Sequence, residues 1–121
     1  MRGLNFLVVD DSLLNIKRLT GILHGMGHNV VRTVGTGAQA VVAYETFVPD
    51  IVTMDITMPD MDGIEATERI VKRFPHARII MVTSHGQEKM VMDALGAGAK
   101  GYVLKPVKED KLRAMITRAM A

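Results

Sequence analysis

The feature that most constrains the fold of this chain is a regular alternation of short apolar runs with amphipathic segments. Uninterrupted apolar runs of this length are typical of strands that are buried on both faces of a parallel sheet. Parallel strands must be joined by crossover connections, which are usually helices and almost always right-handed. The alternation therefore predicts an α/β fold with a doubly wound, five-stranded parallel sheet. The predicted strands are Asn5–Val9, Val30–Val31, Ile51–Met54, Ile79–Val82 and Gly101–Leu104.

Capping residues and prolines predict where the helices begin and end. Asp11 or Ser12 can cap the first helix, and Gly27 can end it. Thr36 can cap the second helix, which Pro49 stops. The third helix lies between Gly63 and Pro75, the fourth spans 87–97 and the fifth spans 108–120. The residues predicted to face the core are Ile16, Leu19, Leu23, Met26, Ala40, Tyr44, Phe47, Ile64, Thr67, Val71, Phe74, Met92 and Leu95.

Length and composition favour one globular domain over residues 1–121. Hydrophobic residues make up 48% of the 121 residues and charged residues 23%, and there is no cysteine, which excludes disulfides and thiolate metal sites. The net charge of +2 does not indicate direct binding of nucleic acid. The first apolar run is too short for a signal peptide or a membrane span, so we expect a cytoplasmic protein. The sequence leaves open whether the chain stands alone or is part of a longer protein.

Charged residues follow three of the predicted strands at the point where each strand ends. Asp10 and Asp11 follow the first strand, Asp55 the third and Lys105 the fifth. Because the carboxyl ends of parallel strands share one edge of the sheet, these side chains are expected to converge. Two strand orders suit such a chain. In the flavodoxin-like order 2-1-3-4-5 the first and third strands are neighbours, which would bring the three aspartates together.

Three carboxylates about 5 Å apart repel each other by about 3 kcal/mol per pair at an effective dielectric constant of 20. Either one of them takes a proton or a divalent cation lies among them, and an open site with oxygen ligands favours Mg²⁺. Such a site suits phosphoryl transfer onto a carboxylate, with Lys105 and Thr83 binding the phosphoryl oxygens. Asp55 is the best nucleophile because it lies alone on its strand, whereas Asp10 and Asp11 look like metal ligands.

Together these motifs resemble the receiver domain of two-component response regulators, most closely the single-domain, CheY-like chemotaxis regulators. The resemblance covers nearly the whole chain. Each motif is weak alone, but the set is very specific. The residues that carry it are Asp10 and Asp11, Asp55 in Met54-Asp55-Ile56-Thr57-Met58-Pro59, Gly63, Thr83, and Lys105-Pro106.

The resemblance implies a role for each aspartate. Asp55 would be the phosphoacceptor. Asp11, Asp55 and the backbone carbonyl of Thr57 would bind Mg²⁺ directly, and Asp10 would act through water. Thr57, together with His85, would also influence how fast water removes the phosphoryl group.

The resemblance also implies how phosphorylation is sensed. Thr83 and Lys105 would bind the phosphoryl group, and Thr83 and Tyr102 would form the switch. The peptide bond between Lys105 and Pro106 would be cis. The remaining histidines, which are His24, His28 and His76, show no spacing typical of a metal site and are expected at the surface.

The implied function is a signalling switch rather than an enzyme. The partner upstream would be a sensor histidine kinase or a phosphotransfer protein. An unknown downstream protein would bind the face formed by the fourth helix, fifth strand and fifth helix, with Met90, Val91 and Tyr102 contributing. We expect a monomer or weak dimer without a membrane partner, and chemotaxis is one pathway that the resemblance admits.

Simpler interpretations exist for each residue alone. Asp10 and Asp11 could cap a helix, Asp55 could be a turn residue, and Lys105 could be a solvated strand end. Two other classes of protein also share part of the pattern. One is a Mg²⁺-dependent phosphatase of the haloacid dehalogenase type, which would need a second Asp where Thr57 stands. The other is a flavodoxin-like module that binds a cofactor.

Overall fold

The computed structural model describes residues 3–84 and 86–121 as strands and helices that alternate along the chain. The strands form one parallel sheet in the order β2-β1-β3-β4-β5, so the prediction of a flavodoxin-like (βα)5 fold is confirmed. The prediction for His85 lies outside the described residues. The elements are β1 (Asn5–Val9), α1 (Leu13–Gly25), β2 (Asn29–Val34), α2 (Gly37–Phe47), β3 (Ile51–Asp55), α3 (Gly63–Arg73), β4 (Ile79–Thr83), α4 (Glu88–Gly96), β5 (Gly101–Leu104) and α5 (Glu109–Met120).

Helices cover both faces of the sheet. On one face α2, α3 and α4 pack against the sheet through side chains such as Tyr44, Ile70 and Ala94. On the other face α1 and α5 pack through side chains such as Leu23 and Leu112. Every residue of β3 and β4 is buried, as expected for central strands that are covered on both sides.

The edge strand β2 is longer than the sequence predicts. It spans Asn29–Val34 and pairs with the whole of β1, whereas apolar residues predict only Val30–Val31. Arg32 and Thr33 are exposed although they belong to the strand. Hydrophobicity marks the partly buried residues of this edge strand, and main-chain pairing extends beyond them.

In α2 and α4, some of the residues predicted to face the core are exposed instead. The predicted core residues Met92 and Leu95 of α4 are 61% and 41% exposed, and Phe47 of α2 is also 41% exposed. In α4 the core is instead contacted by Met90 and the buried Ala94, which are four residues apart and therefore lie on one helix face. A large apolar side chain is thus not a reliable marker of the buried face when the helix lies close to the sheet.

The predicted helix ends agree with the structure. The Ser12 hydroxyl accepts a hydrogen bond from the Asn15 amide at 3.3 Å. Gly27 has φ +88°, a left-handed conformation that glycine adopts without strain just after a helix. Within residues 3–84 and 86–121, no helix combines the length and apolar character needed to cross a bilayer.

The prediction that His28 lies at the surface is wrong. His28 is buried, and its Nδ1 accepts a hydrogen bond from the Leu4 amide at 3.0 Å. Its ring centroid lies 5.2 Å from that of Phe6. The imidazole provides the acceptor for the main-chain amide just before β1. The spacing of histidines along the sequence, which indicates metal sites, does not reveal such a structural role.

Candidate functional site

The carboxyl ends of β1 and β3 bring the three predicted aspartates together. Val9 of β1 pairs with Met54 of β3, so Asp10 and Asp55 follow at the same level of the sheet. Carboxylate oxygens of Asp10, Asp11 and Asp55 all lie within 4.8 Å of one another. We call these three residues the acidic cluster.

Lys105 reaches the acidic cluster from the end of β5. Its Nζ lies 2.8 Å from Asp10 Oδ2 and 3.3 Å from Asp55 Oδ1. The Lys105 amide donates to the Thr83 carbonyl at 2.8 Å, which ties the ends of β5 and β4 together. The Lys105–Pro106 peptide bond is cis.

Asp10 combines a structural role with its place in the cluster. Its Oδ1 accepts a hydrogen bond from the Ser12 amide at 2.9 Å, while Oδ2 contacts Lys105. The loop between β1 and α1 is therefore held by the same side chain that faces Asp55. Asp11 is exposed to solvent at the rim of the cluster. The cap of α1 is Ser12 and not Asp11.

The protonation of Asp55 reflects its crowded surroundings. The pKa of Asp55 is raised to about 6, chiefly by burial and also by the negative charge of Asp10, while Lys105 acts in the opposite direction. Burial by itself would lower the pKa of Lys105. Its hydrogen bond to Asp10 and the charges of Asp55 and Asp10 outweigh that effect, so the Lys105 pKa is raised and the ammonium form is kept.

The acidic cluster has the chemistry of a site for a hard divalent cation. Its donors are carboxylate oxygens, which suit Mg²⁺ and Ca²⁺ rather than softer metals. Three carboxylates face one ammonium group, so an added dication would relieve the repulsion that raises the Asp55 pKa. One exposed member, Asp11, leaves the cluster open on the solvent side, and Mg²⁺ commonly keeps several waters. The residues present therefore fit Mg²⁺.

The other predicted residues lie around this cluster. Thr83 is buried at the end of β4, and Thr57 is exposed in the loop that follows Asp55. Tyr102 lies on β5 with 38% of its surface exposed. The structure thus places Thr83 at the strand end next to that of Asp55, since β3 pairs with β4 through Asp55 and Val82.

The loop after Asp55 ends at Gly63, where the packing leaves no room for a side chain. The Gly63 amide donates to the Ile56 carbonyl at 2.7 Å, which closes the loop formed by residues 56–62. A Cβ atom at this position would collide with the carbonyl oxygen of Asp55. Only a residue without a side chain allows α3 to begin this close to β3.

Sequence reasoning missed a cavity next to the cluster. Its volume is about 250 Å³, and Asp10 and Lys105 form part of its wall. Asn15 and Arg18 line it from the first turns of α1. Their spacing of three residues places them on one face of that helix, a signal that could have been noticed.

Comparison with known proteins decides between the classes that share parts of this pattern. A family model described as the response regulator receiver domain matches residues 6–117. The chain belongs to this family. Family membership favours a receiver domain over a dehalogenase-type phosphatase or a flavin-binding module.

Individual relatives agree with the family match along most of the receiver domain. The chain is 44% identical to chemotaxis protein CheY of Bacillus subtilis over 114 residues, which cover 94% of this chain and 95% of the relative. It is 41% identical to CheY of Thermotoga maritima over 110 residues, which cover 91% and 92%. A crystal structure of the CheX-CheY-BeF3-Mg²⁺ complex from Borrelia burgdorferi contains a similar chain with TM-score 0.93 and 39% identity, covering 97% of this chain and 89% of that one.

Family membership indicates what the residues at the carboxyl edge of the sheet are for. The chain is a CheY-like receiver domain that acts in phosphorylation-dependent two-component signalling. The acidic cluster lies where a flavodoxin-like sheet places its ligand site, at the switch point between β1 and β3.

Proposed function

We propose that residues 1–121 form one receiver domain in which Asp55 accepts a phosphoryl group from a sensor histidine kinase or a phosphotransfer protein. The P–N bond of the donor phosphohistidine breaks, a P–O bond to the Asp55 carboxylate forms, and the released ring nitrogen takes up a proton from solvent to give neutral imidazole. The observation that carries the proposal is the position of Lys105, whose Nζ lies 3.3 Å from Asp55 within the acidic cluster.

Asp55 suits this role better than its neighbours do. Asp10 uses both of its oxygens, one on the Ser12 amide and one on Lys105. Asp11 is exposed, so it is less protected from water. Asp55 makes the longer of the two lysine contacts, and with a pKa of about 6 it is mainly ionised at pH 7 and available as a nucleophile.

Asp10, Asp11, Asp55 and the backbone carbonyl of Thr57 would hold Mg²⁺, which when bound supplies positive charge to offset the negative phosphoryl oxygens. Lys105 adds a second positive charge from the end of β5. The Lys105 ammonium already contacts two carboxylates, so it can bind a phosphoryl oxygen without a large movement. Thr83 donates its hydroxyl to another oxygen.

The switch follows from the charge that phosphorylation adds, which is about −1.5 to −2. Charge-assisted hydrogen bonds from Thr83 and Lys105 are worth about 1.5 to 3 kcal/mol each. Their sum approaches the roughly 5.5 kcal/mol that inverts a two-state population. Movement of Thr83 towards the phosphoryl group would let Tyr102 turn inward, and Thr57 and His85 would set the lifetime of the phosphorylated form.

The downstream partner would bind the face formed by α4, β5 and α5. A groove of about 540 Å³ runs along β5 and α5 on this face, with Tyr102 and Leu104 as apolar members. Lys108, Lys111 and Arg118 line the same groove, so a partner segment with acidic residues would be attracted to it. Similarity to CheY proteins supports chemotaxis as the pathway.

Phosphorylation in vitro tests the proposal. The protein is incubated with a small acyl-phosphate donor, with and without Mg²⁺, and the intact mass is measured. Wild type should gain one phosphoryl group only with Mg²⁺, and Asp55→Asn should gain none. Asp50→Asn is the matched control, because Asp50 lies at the opposite end of the sheet and bonds to the Asn5 amide. A mass gain in Asp55→Asn equal to that of wild type would reject Asp55 as the acceptor.

A further inference from the structure

The first turn of α2 is bonded to the loop that follows Asp55. Thr36 caps the helix locally, since its hydroxyl accepts from the Gln39 amide at 3.1 Å. The two preceding amides, those of Gly37 and Ala38, donate instead to the carboxylate of Asp60, each at 2.9 Å. The Thr36 hydroxyl bonds to the third amide of the helix, so the first two amides need an acceptor from elsewhere. Asp60 supplies it from a distant loop.

The link is a charge-assisted one. Each oxygen of the Asp60 carboxylate accepts one main-chain hydrogen bond at the positive end of an 11-residue helix. The bonds from Ala38 and then Gly37 lower the pKa of Asp60, so the carboxylate stays ionised at neutral pH. The connection therefore persists under the conditions in which the domain works.

The same turn contacts Asp10 on one side and the loop that follows Asp55 on the other. Val34, at the end of β2, accepts a hydrogen bond from the Asp10 amide at 3.0 Å. Gly35 lies next to the end of β1, where a Cβ atom would be in van der Waals contact with the Asp10 carbonyl oxygen at 3.7 Å. On the other side, Met61 fills the space that a side chain at Gly37 would occupy. Residues 34–38 are thus packed between the end of β1 and the loop after β3.

We propose that Asp60 is a positioning residue for the acidic cluster. By binding the Gly37 and Ala38 amides it fixes the 56–62 loop against residues 34–38, which in turn contact Asp10. The loop begins directly after Asp55 and closes through the bond from Gly63 to Ile56, so its placement sets how Asp55 faces the other two carboxylates. Asp60 does not belong to the group of carboxylates that can share an ion. It acts through the loop and has no contact with the reacting atoms.

The inference rests on the proposed Mg²⁺-dependent phosphorylation, and binding of Mg²⁺ alone tests it. Calorimetric titration with Mg²⁺ compares wild type, Asp60→Ala and Thr36→Ala, with circular dichroism to verify that each protein is folded. Asp60→Ala should weaken Mg²⁺ affinity about ten-fold, the size of effect typical for partners that orient metal ligands. Asp60→Asn retains one acceptor oxygen and should fall between wild type and Asp60→Ala.

Thr36→Ala is the matched control. It removes a side-chain acceptor from the same helix end, but this acceptor is a neutral hydroxyl whose bond lies within the segment and does not reach the 56–62 loop. Its Mg²⁺ affinity should stay within about two-fold of wild type, because the contact that orients the loop is intact. The comparison therefore separates loop placement from the stability of α2.

Each outcome decides the question. Equal Mg²⁺ affinity in wild type and Asp60→Ala would overturn the inference and leave the proposed function intact. Equal loss in Thr36→Ala and Asp60→Ala would also overturn it, since helix stability would then set the affinity. Should Asp60→Ala fail to fold, Asp60→Asn takes its place in the comparison. Failure of wild type itself to bind Mg²⁺ would reject the proposed function and the inference with it.

Discussion

The two ends of the sheet handle their polar groups in opposite ways. At the amino ends of the strands, acceptors and donors are matched one to one. The Asp50 carboxylate accepts from the Asn5 amide at 2.8 Å, and His28 accepts from the Leu4 amide at 3.0 Å. At the carboxyl ends, three carboxylates lie close together and the ammonium of Lys105 contacts two of them. One end holds the fold in place, and the other keeps charges that a metal ion and a phosphoryl group can use.

This difference shows where binding and stability compete. Buried like charges lower the stability of a domain, yet they make a site that gains from an added cation. We therefore expect opposite effects of substitutions at the two ends. Removing the Asp55 charge at the carboxyl end should stabilise the fold and abolish function, and removing an acceptor at the amino end should destabilise the fold.

The largest effect is expected where the carboxyl end is most tightly packed. Gly63→Ala would bring a methyl group against the Asp55 carbonyl, which should lower the free energy of unfolding by about 3 kcal/mol. Gly21→Ala is the control, because Gly21 lies in α1 with nothing within 4 Å of the added atom. That change should stabilise the domain by about 0.5 to 1 kcal/mol. Urea denaturation measures both, and equal effects would show that the close approach at Gly63 carries no weight.

Asp55→Asn should stabilise the domain at neutral pH. The Asp55 pKa of about 6 lies above its ordinary value of 3.8, so the folded state holds its proton more tightly than the unfolded state does. Stability is then lost as pH rises from about 4 to 6. The substitution removes that loss and should add about 1 to 3 kcal/mol at pH 7, part of the gain being offset by the lost Lys105 contact.

The pH dependence provides the control for this prediction. Below pH 4 the wild-type carboxyl is protonated in both states, so the advantage of Asp55→Asn should disappear there. Denaturation at pH 7 and at pH 3.5 measures it. An unchanged or lower stability at pH 7 would mean that Lys105 fully compensates the buried charge.

At the amino end, His28→Ala should destabilise the domain by about 1 to 3 kcal/mol at pH 7, because the partly buried Leu4 amide loses its acceptor. Burial, with a smaller contribution from Arg113, lowers the pKa of His28 in the folded state. The unfolded state therefore takes up a proton first, and stability falls as pH drops below the ordinary imidazole pKa of 6.5. The fall between pH 7 and 5.5 should be smaller in His28→Ala than in wild type. An equal slope in the two proteins would show that other groups cause it.

The smallest effect concerns the middle of β3, between the two ends. The buried hydroxyl of Thr53 has no hydrogen-bond partner among the described residues. Thr53→Val keeps the shape and should stabilise the domain by about 1 kcal/mol. Thr67→Val is the control, since that hydroxyl contacts Met81 Sδ at 3.6 Å and should give little or no gain. A loss of stability in Thr53→Val would indicate that the hydroxyl is bonded in solution.

Much of the fold could be predicted from the sequence because its central strands are easily recognised as short apolar runs. The runs in β3 and β4 are mostly apolar, and such strands must be covered on both faces. The edge strand β2 and the buried face of α4 could not be predicted well. Arg32 belongs to β2 through main-chain pairing alone, and Ala94 rather than Met92 packs against the core.

The site divides in the same way. Asp10, Asp55 and Lys105 could be brought together from sequence, because parallel strands place their carboxyl ends at one edge whatever the details of packing. Asp60 could not, since its partners lie 22 and 23 residues away in another loop. Strand topology is a global constraint that a sequence pattern reveals, whereas contacts between loops depend on where each loop finally lies.

The measurement that tests the central claim most directly is localisation of the phosphoryl group by mass spectrometry of peptides. The protein is first phosphorylated with a small acyl-phosphate donor in the presence of Mg²⁺. We predict that the group is found on Asp55 and that it is absent when Mg²⁺ is removed by a chelator. A phosphoryl group on Asp10 or Asp11, or equal phosphorylation without Mg²⁺, would contradict the account of the acidic cluster.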